Sequence, residues 1–284
     1  MKVIVLASQK GGSAKTTLTA SLAVAAELAG NGPAVLIDSD PQGSLAAWWN
    51  VREGDSPALA PTTLAELPTK LKALDEAGYA FAFVDTPPAI TEAIRAVVKT
   101  ADFVLIPVKP SPHDLRSVGS TVEIVQQEGK PFAFVVTQAK ANASLTVQAM
   151  AALSAHGRVA PTVMHDRVDY AASMTDGRTV QETDPRGRSA AEAANLWEFV
   201  LERLHESTKA RQHDRQKLHE KARLPIRQSC RGQRSCGPRS GCAIAQSCPS
   251  GSQGGAGQNI AAAQFSGFGG VPAGVQDLRR RARL

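Results

Sequence analysis

The sequence predicts an α/β protein built on a doubly wound, mostly parallel sheet and followed by a basic tail of another kind. Three observations predict it. Short apolar runs of strand length alternate with segments of helical period. Several of these runs close on a polar or carboxylate cluster, where open α/β sheets hold their ligands. The charge is also divided: residues 1–208 carry 18 Lys and Arg against 23 Asp and Glu, a net of −5, whereas residues 209–284 carry 14 against 3, a net of +11. The basic character therefore belongs to the tail. An acidic globular part, residues 1–207, and a cationic extension, residues 208–284, are expected, the latter of the kind that meets nucleic acid or anionic surfaces.

Val3 to Ala7 reads as the first buried strand, and Leu18, Leu22, Ala25, Ala26 and Leu28 continue as a helical pattern. Between them lies Gln9-Lys10-Gly11-Gly12-Ser13-Ala14-Lys15-Thr16-Thr17. A strand, a Gly-rich turn and a helix make an anion site, because glycines let backbone N–H groups approach phosphate oxygens and the helix N-terminus adds its positive end. Lys15 is expected to reach the β/γ-phosphates and Thr16 to hold Mg²⁺, with Gly11, Gly12, Ser13, Ala14 and Thr17 completing the nucleotide contacts. A Gly-rich turn with no ligand is the plainer alternative, disfavoured by two lysines and two threonines at these spacings.

The ordinary pattern G-x-x-x-x-G-K-[ST] would place glycine where this chain has Gln9 and Ala14. The stretch instead resembles K-G-G-x-G-K-T-T, the deviant loop of the ParA/MinD family of Walker-type ATPases, with Ala14 its one departure. That resemblance implies ATP with Mg²⁺ as cofactors, a P-loop NTPase fold, and a homodimer in which Lys10 reaches the partner's phosphates. If position 14 needs φ > 0, its Cβ costs roughly 1 kcal/mol or more, so weakened nucleotide binding is expected.

A second strand, Ala34 to Ile37, follows the helix stop at Gly30-Asn31-Gly32-Pro33 and ends at Asp38-Ser39-Asp40-Pro41-Gln42. Alone, these aspartates read as a helix cap. Beside the loop, the segment resembles the family's second signature, which implies that Asp40 positions the attacking water and Asp38 lies near the Mg²⁺ shell. Residues 52–68 read as a surface connection, with a short helix from Thr63 to Leu74. Tyr79 to Val84 is a third strand closing on Asp85, the Walker B pattern of a carboxylate that holds Mg²⁺ through water; a turn or cap residue is the alternative.

Phe103 to Val108 is the fourth strand, followed by a stretch with Pro107, Pro110 and Pro112 that is not expected to continue as sheet. It resembles the Pro-rich segment of small plasmid-encoded ParA proteins, ParF most closely, although a rigid loop explains it equally well. Phe132 to Val136 is the fifth strand, and the resemblance implies adenine contacts at Thr137 and Gln138. Gly157 to Met164 reads as a further strand. The run from Arg167 through Arg178, Arg186 and Arg188 to a closing helix at 190–204 resembles the end of ParF and supplies the DNA-binding candidates. Trp197, Phe199, Val200 and Leu204 read as that helix's core stripe.

The tail is rich in Gly, Ser, Gln, Arg and Pro and is expected to be disordered. Its cysteines, Cys230, Cys236, Cys242 and Cys248, recur every six residues, unlike the C-x₂₋₄-C of zinc sites. Low-complexity sequence or an altered reading frame explains them better. The globular part has no cysteine, which fits a reducing cytoplasm and disfavours an iron-sulfur reductase. No apolar run approaches the roughly 18–20 residues of a membrane span, and the start is too short in apolar residues for a secretory signal.

The resemblance implies an ATPase that partitions DNA, as a dimer or polymer. It binds DNA without sequence preference when ATP-bound, joins the nucleoid, and answers to a small centromere-binding partner. A metabolic P-loop enzyme, a non-catalytic nucleotide-responsive adaptor and, less favoured, a MinD-like membrane-positioning protein are the other readings.

Overall fold

The computed structural model describes residues 1–88, 91–141 and 143–222, with the backbone alone for Thr91 and residues 208–222. The expectations for the cysteines and the terminal arginines lie outside the described residues. In chain order the elements are β1 (Lys2–Leu6), α1 (Lys15–Leu28), β2 (Ala34–Asp38), α2 (Ser44–Asn50), β3 (Ala58–Leu59) and α3 (Leu67–Glu76). Then come β4 (Phe81–Asp85), α4 (Thr91–Thr100), β5 (Phe103–Val108), α5 (Pro112–Gln127), β6 (Phe132–Val136) and α6 (Ser144–Ser154). The last are β7 (Arg158–Val159), α7 (Val168–Ser173), α8 (Val180–Thr183) and α9 (Arg188–Ala222).

Alternating strand and helix leaves each strand parallel to its neighbours, and the seven strands order as β3-β2-β4-β1-β5-β6-β7. Strand residues alternate between two buried layers, as period-two side chains must. Ile4, Leu6, Leu36, Phe83 and Leu105 face α1, α2 and α9 through Leu22, Trp48 and Trp197. Val5, Ile37, Val84, Val104 and Ile106 face α3, α4 and α5 through Leu71, Val97 and Val125. Burial on both faces explains why the strands read as continuous apolar runs. Trp197, Val200 and Leu204 are buried as the stripe requires, and Trp197 Nε1 donates to Asn31 Oδ1 at 2.9 Å.

The departures from expectation have local causes. The run from 157 to 164 pairs as a ladder only at Arg158 and Val159, because Pro161 cannot donate; isolated bonds from Ala160 N to Phe134 O (2.7 Å) and Met164 N to Val136 O (2.9 Å) carry the segment on. The helix expected from Thr63 begins at Leu67, where Pro68 occupies the first turn that favours it. A two-residue strand, β3, was not anticipated in that connection. Pro107 stands inside β5, opposite Val135, but beyond the last residue of β5 that pairs with β1, Leu105, so its missing donor breaks no ladder there. The closing helix continues in the backbone to Ala222.

With β1 flanked by β4 and β5, the strand order reverses at the centre of the sheet. The carboxyl ends of these strands open the crevice where such sheets bind ligands.

Candidate functional site

The loop from Ser8 to Ala14 leaves β1 at that crevice. Gly12 and Ala14 both take left-handed backbone, with φ of 69° and 68°, and Ala14 caps α1 with its carbonyl accepting from Leu18 N at 3.0 Å. The φ > 0 that the sequence left conditional is thus required of an alanine, at a cost of about 1 kcal/mol. Lys15 is 8% exposed, and its Nζ donates to the carbonyls of Ser8 (3.2 Å) and Lys10 (3.3 Å), so the ammonium spans the loop from beneath. Burial lowers its pKa, against the opposing fields of Asp85 and Asp40.

Thr16 Oγ1 donates to Asp85 Oδ2 at 2.6 Å. Asp85 is almost fully buried at the end of β4, and burial pushes its carboxyl up to about 7 although Thr16 and Lys15 favour the charged form. Its Oδ1 is buried with no hydrogen-bond partner in the structure. Ser39 Oγ donates to Asp85 O at 2.5 Å, and Thr86 Oγ1 to Leu6 O at 2.8 Å, bracing the ends of β4, β2 and β1. Asp38 accepts from Asp40 N (3.1 Å) and from Ala46 N in the first turn of α2 (2.9 Å), so it is Asp38 that caps this helix; burial raises its pKa against those bonds. Asp40 accepts from Gln42 N at 3.0 Å and stays half-buried.

Among the described residues no group of three or more His, Cys, Asp and Glu is placed to hold a metal alone. The Thr16 hydroxyl and the orphaned oxygen of Asp85 instead fit a hard cation that takes one or two protein oxygens and completes its shell with water and phosphate. Mg²⁺ there would be held by Thr16 and Asp85, with Asp38 behind, and would neutralise phosphate charge.

Lys10 belongs to the loop by its backbone, but its side chain turns away to α5, with Nζ 3.9 Å from Asp114 Oδ1 in the first turn of that helix. Thr137 Oγ1 donates to Ser13 O (3.2 Å) and Gln138 Nε2 to Gly12 O (3.1 Å), so the carboxyl end of β6 buttresses the loop. Beyond them a cavity of about 250 Å³ is bounded by Ala14, Thr17 and Leu18 on one side and by Met164 to Arg167, Tyr170 and Ala171 on the other. One carboxylate organises that far wall. Glu192 of α9 accepts from His165 N (3.1 Å), Arg167 Nη2 (2.8 Å) and Tyr170 OH (3.1 Å) and lies 2.7 Å from His165 Nδ1. Burial works to raise its pKa, but these donors outweigh it and the carboxyl is lowered; the same burial and the Glu192 charge push the Tyr170 hydroxyl up.

The four arginines have different surroundings. Arg167 belongs to the cavity wall, Arg178 pairs with Asp176 at the surface, and Arg186 and Arg188 are exposed at the turn into α9. A second arginine network, unforeseen from sequence, joins the turn after α2 to α8: Arg52 Nη1 donates to Gly177 O and Glu182 Oε2, each at 2.9 Å. His165, Glu192, Asp114 and Lys109 were also missed. Only Asp114 carried a local signal, three residues after its capping partner Ser111.

Residues 4–180 match the family model described as CobQ/CobB/MinD/ParA nucleotide binding domain. Among curated proteins, Maintenance of carboxysome distribution protein A of Halothiobacillus neapolitanus is 32% identical over 203 residues, 68% of this chain and 92% of the relative. Chromosome-partitioning ATPase Soj of Thermus thermophilus is 31% identical over 243 residues, 72% of this chain and 97% of the relative. The ATP complex of a Cyanothece McdA variant superposes with a TM-score of 0.60 at 21% identity, over 72% of this chain and 96% of that one, a likeness of fold. This chain therefore belongs to the ParA/MinD family of nucleotide-binding domains. The relatives support the family and not the ParF-like subtype in particular.

Proposed function

We propose that this member of the ParA/MinD family is an ATP-driven positioning ATPase that moves a cargo, most simply a DNA replicon, over non-specific DNA. The observation that carries the reading is the pairing of two lysines with opposite placement. The Lys15 side chain is buried beneath the loop with Thr16 and Asp85, whereas the Lys10 ammonium points away from the loop on a single long contact to Asp114. One completes the phosphate site of its own chain; the other is available to a second copy. ATP with Mg²⁺ closes a homodimer through Lys10, the closed dimer binds DNA, and hydrolysis releases it. In the chemical step Lys15 and Lys10 counter the developing phosphate charge and Asp40 orients water. A small partner protein, centromere-binding where the cargo is DNA, stimulates turnover. The protein is cytoplasmic and joins the nucleoid when ATP-bound; no helix among the described residues is long and apolar enough to cross a membrane.

Residues 1–207 supply the ATPase and residues 208–284 a nucleotide-independent background of DNA affinity, which falls with salt as counterions are released. The carboxysome-distribution relative favours a second cargo, a protein body, with the same ATPase cycle.

Two substitutions test the cycle. Asp40→Ala retains ATP binding and stops phosphate release, trapping the dimer; Lys10→Ala keeps ADP affinity and loses the dimer that a non-hydrolysable analogue forms in the parent. Titration, phosphate release and light scattering separate these outcomes. Normal hydrolysis by Asp40→Ala sinks the catalytic assignment, and equal dimerisation by Lys10→Ala sinks the sandwich.

A further inference from the structure

The Pro-rich segment after β5 carries a lysine that this reading does not use. Pro107 lies within β5 and Pro112 opens α5, whose N-cap Ser111 accepts from Asp114 N at 3.1 Å, while Lys109 O accepts from Ser111 N at 2.8 Å. Three fixed φ angles, at 107, 110 and 112, and a capped helix start leave the backbone at Lys109 little freedom. From this bracket the side chain crosses to the nucleotide loop: a Cβ on Gly12 would stand 3.7 Å from Lys109 Nζ. Lys109 is half-buried, and among the described residues its ammonium has no carboxylate within 4.0 Å and no hydrogen-bond acceptor.

Its neighbours differ in this respect. Lys10 has Asp114, and the Lys15 ammonium has two loop carbonyls. A cation partly removed from water and left unpaired costs free energy unless an anion answers it. The anion that a Gly-rich loop before a helix N-terminus is suited to hold is a polyphosphate.

We propose that Lys109 is a further phosphate-binding residue, whose ammonium acts on the terminal phosphates of the nucleotide seated on this loop and adds to the charge that Lys15 supplies. The inference rests on the ATPase reading and assigns a function to the Pro-rich segment, which is to aim that charge. Because the contribution is electrostatic and partly exposed, it is larger for a triphosphate than for a diphosphate and is screened by salt.

The test measures affinity for ADP and for a non-hydrolysable ATP analogue, at low and high salt, in the full chain and in Lys109→Gln, Lys109→Arg and Lys15→Ala. Lys109→Gln is expected to weaken the analogue about tenfold and ADP less than threefold, with the gap narrowing at high salt, and Lys109→Arg to restore most of the loss. Lys109→Met, which keeps the stem and removes the charge, replaces Gln if a melt shows that Gln disturbs the fold. Analogue affinity within twofold of the parent for the neutral variant at low salt overturns the inference while leaving the ATPase reading intact, provided that Lys15→Ala no longer binds. If the parent itself binds neither nucleotide, the ATPase reading fails and the role of Lys109 fails with it. An equal loss for both nucleotides, not restored by arginine, identifies Lys109 as structural and also overturns it.

Discussion

The two ends of the candidate nucleotide site are built in opposite ways. The phosphate end is largely contiguous: Lys10 to Thr17 supply the loop, two lysines and the Thr16 hydroxyl, which donates across the chain to Asp85 at 2.6 Å. The opposite wall of the neighbouring cavity gathers Met164 to Arg167 and Tyr170, and its organising carboxylate, Glu192, stands 27 residues along the chain from His165. Electrostatics differ in the same sense. At the phosphate end buried charges are held against their preference, Lys15 lowered and Asp85 raised to about 7, whereas Glu192 is satisfied by several donors and lowered. The first end keeps unmet charge for a ligand; the second is a finished scaffold.

The largest effect expected from this difference is at Lys15. Lys15→Ala removes the ammonium and its bonds to Ser8 and Lys10 carbonyls, so ATP affinity is expected to fall at least about 100-fold, roughly 3 kcal/mol. Isothermal titration with ATP and with tripolyphosphate measures it, and both ligands should fail together. Retained tripolyphosphate binding would show that the loop backbone alone suffices.

Glu192→Gln probes the other end. Losing the charge loosens His165, Arg167 and Tyr170 without touching the loop, so ATP is expected to weaken about tenfold and tripolyphosphate less than twofold. If both ligands weaken equally, the two ends are one cooperative unit and the contrast drawn between them is lost.

How much could be read in the sequence follows the same division. The doubly wound parallel architecture was legible because every central strand is buried on both faces and reads as an apolar run, whereas the two-residue edge strand β3 was not. That Lys15, Thr16 and Asp85 come together was legible because each sits at a strand end or in a short motif. Glu192 was not: it lies on a helix whose apolar stripe dominates the local pattern, and only the tertiary fold brings it to His165. Lys109 was hidden for another reason, since its neighbouring prolines signal a loop but give no direction for the side chain. The arginines from 167 to 188 were legible as charge, yet Glu192 and Asp176 engage two of them separately.

The raised carboxyl of Asp85 makes a pH prediction for the protein without nucleotide. A folded-state pKa of about 7 against an ordinary 3.8 means that the native state holds a proton the unfolded chain has released between those values, so stability falls as pH rises through that window. Asp85→Asn should remove that slope, melting close to the parent near pH 4 and on the order of 10 °C above it at pH 8. Thermal melts across this range decide it. A parent curve whose slope persists in the variant would assign the titration to another group.

The smallest effect is the one that separates strain in the fold from strain in the ligand site. Ala14 holds φ 68° as the cap of α1, a geometry fixed by the helix that begins at Lys15 and by the bond from Leu18 N to Ala14 O. The cost of its Cβ therefore falls on folding. Ala14→Gly relieves about 1 kcal/mol of native strain but gives back part of it through a freer unfolded chain. The expected outcome is a melting temperature higher by no more than about 4 °C, with ATP affinity unchanged within about twofold. Tenfold tighter ATP binding at an unchanged melting temperature would reverse this assignment, placing the penalty of Ala14 in the nucleotide site and making the loop, unlike Glu192's wall, a region whose shape only the bound state completes.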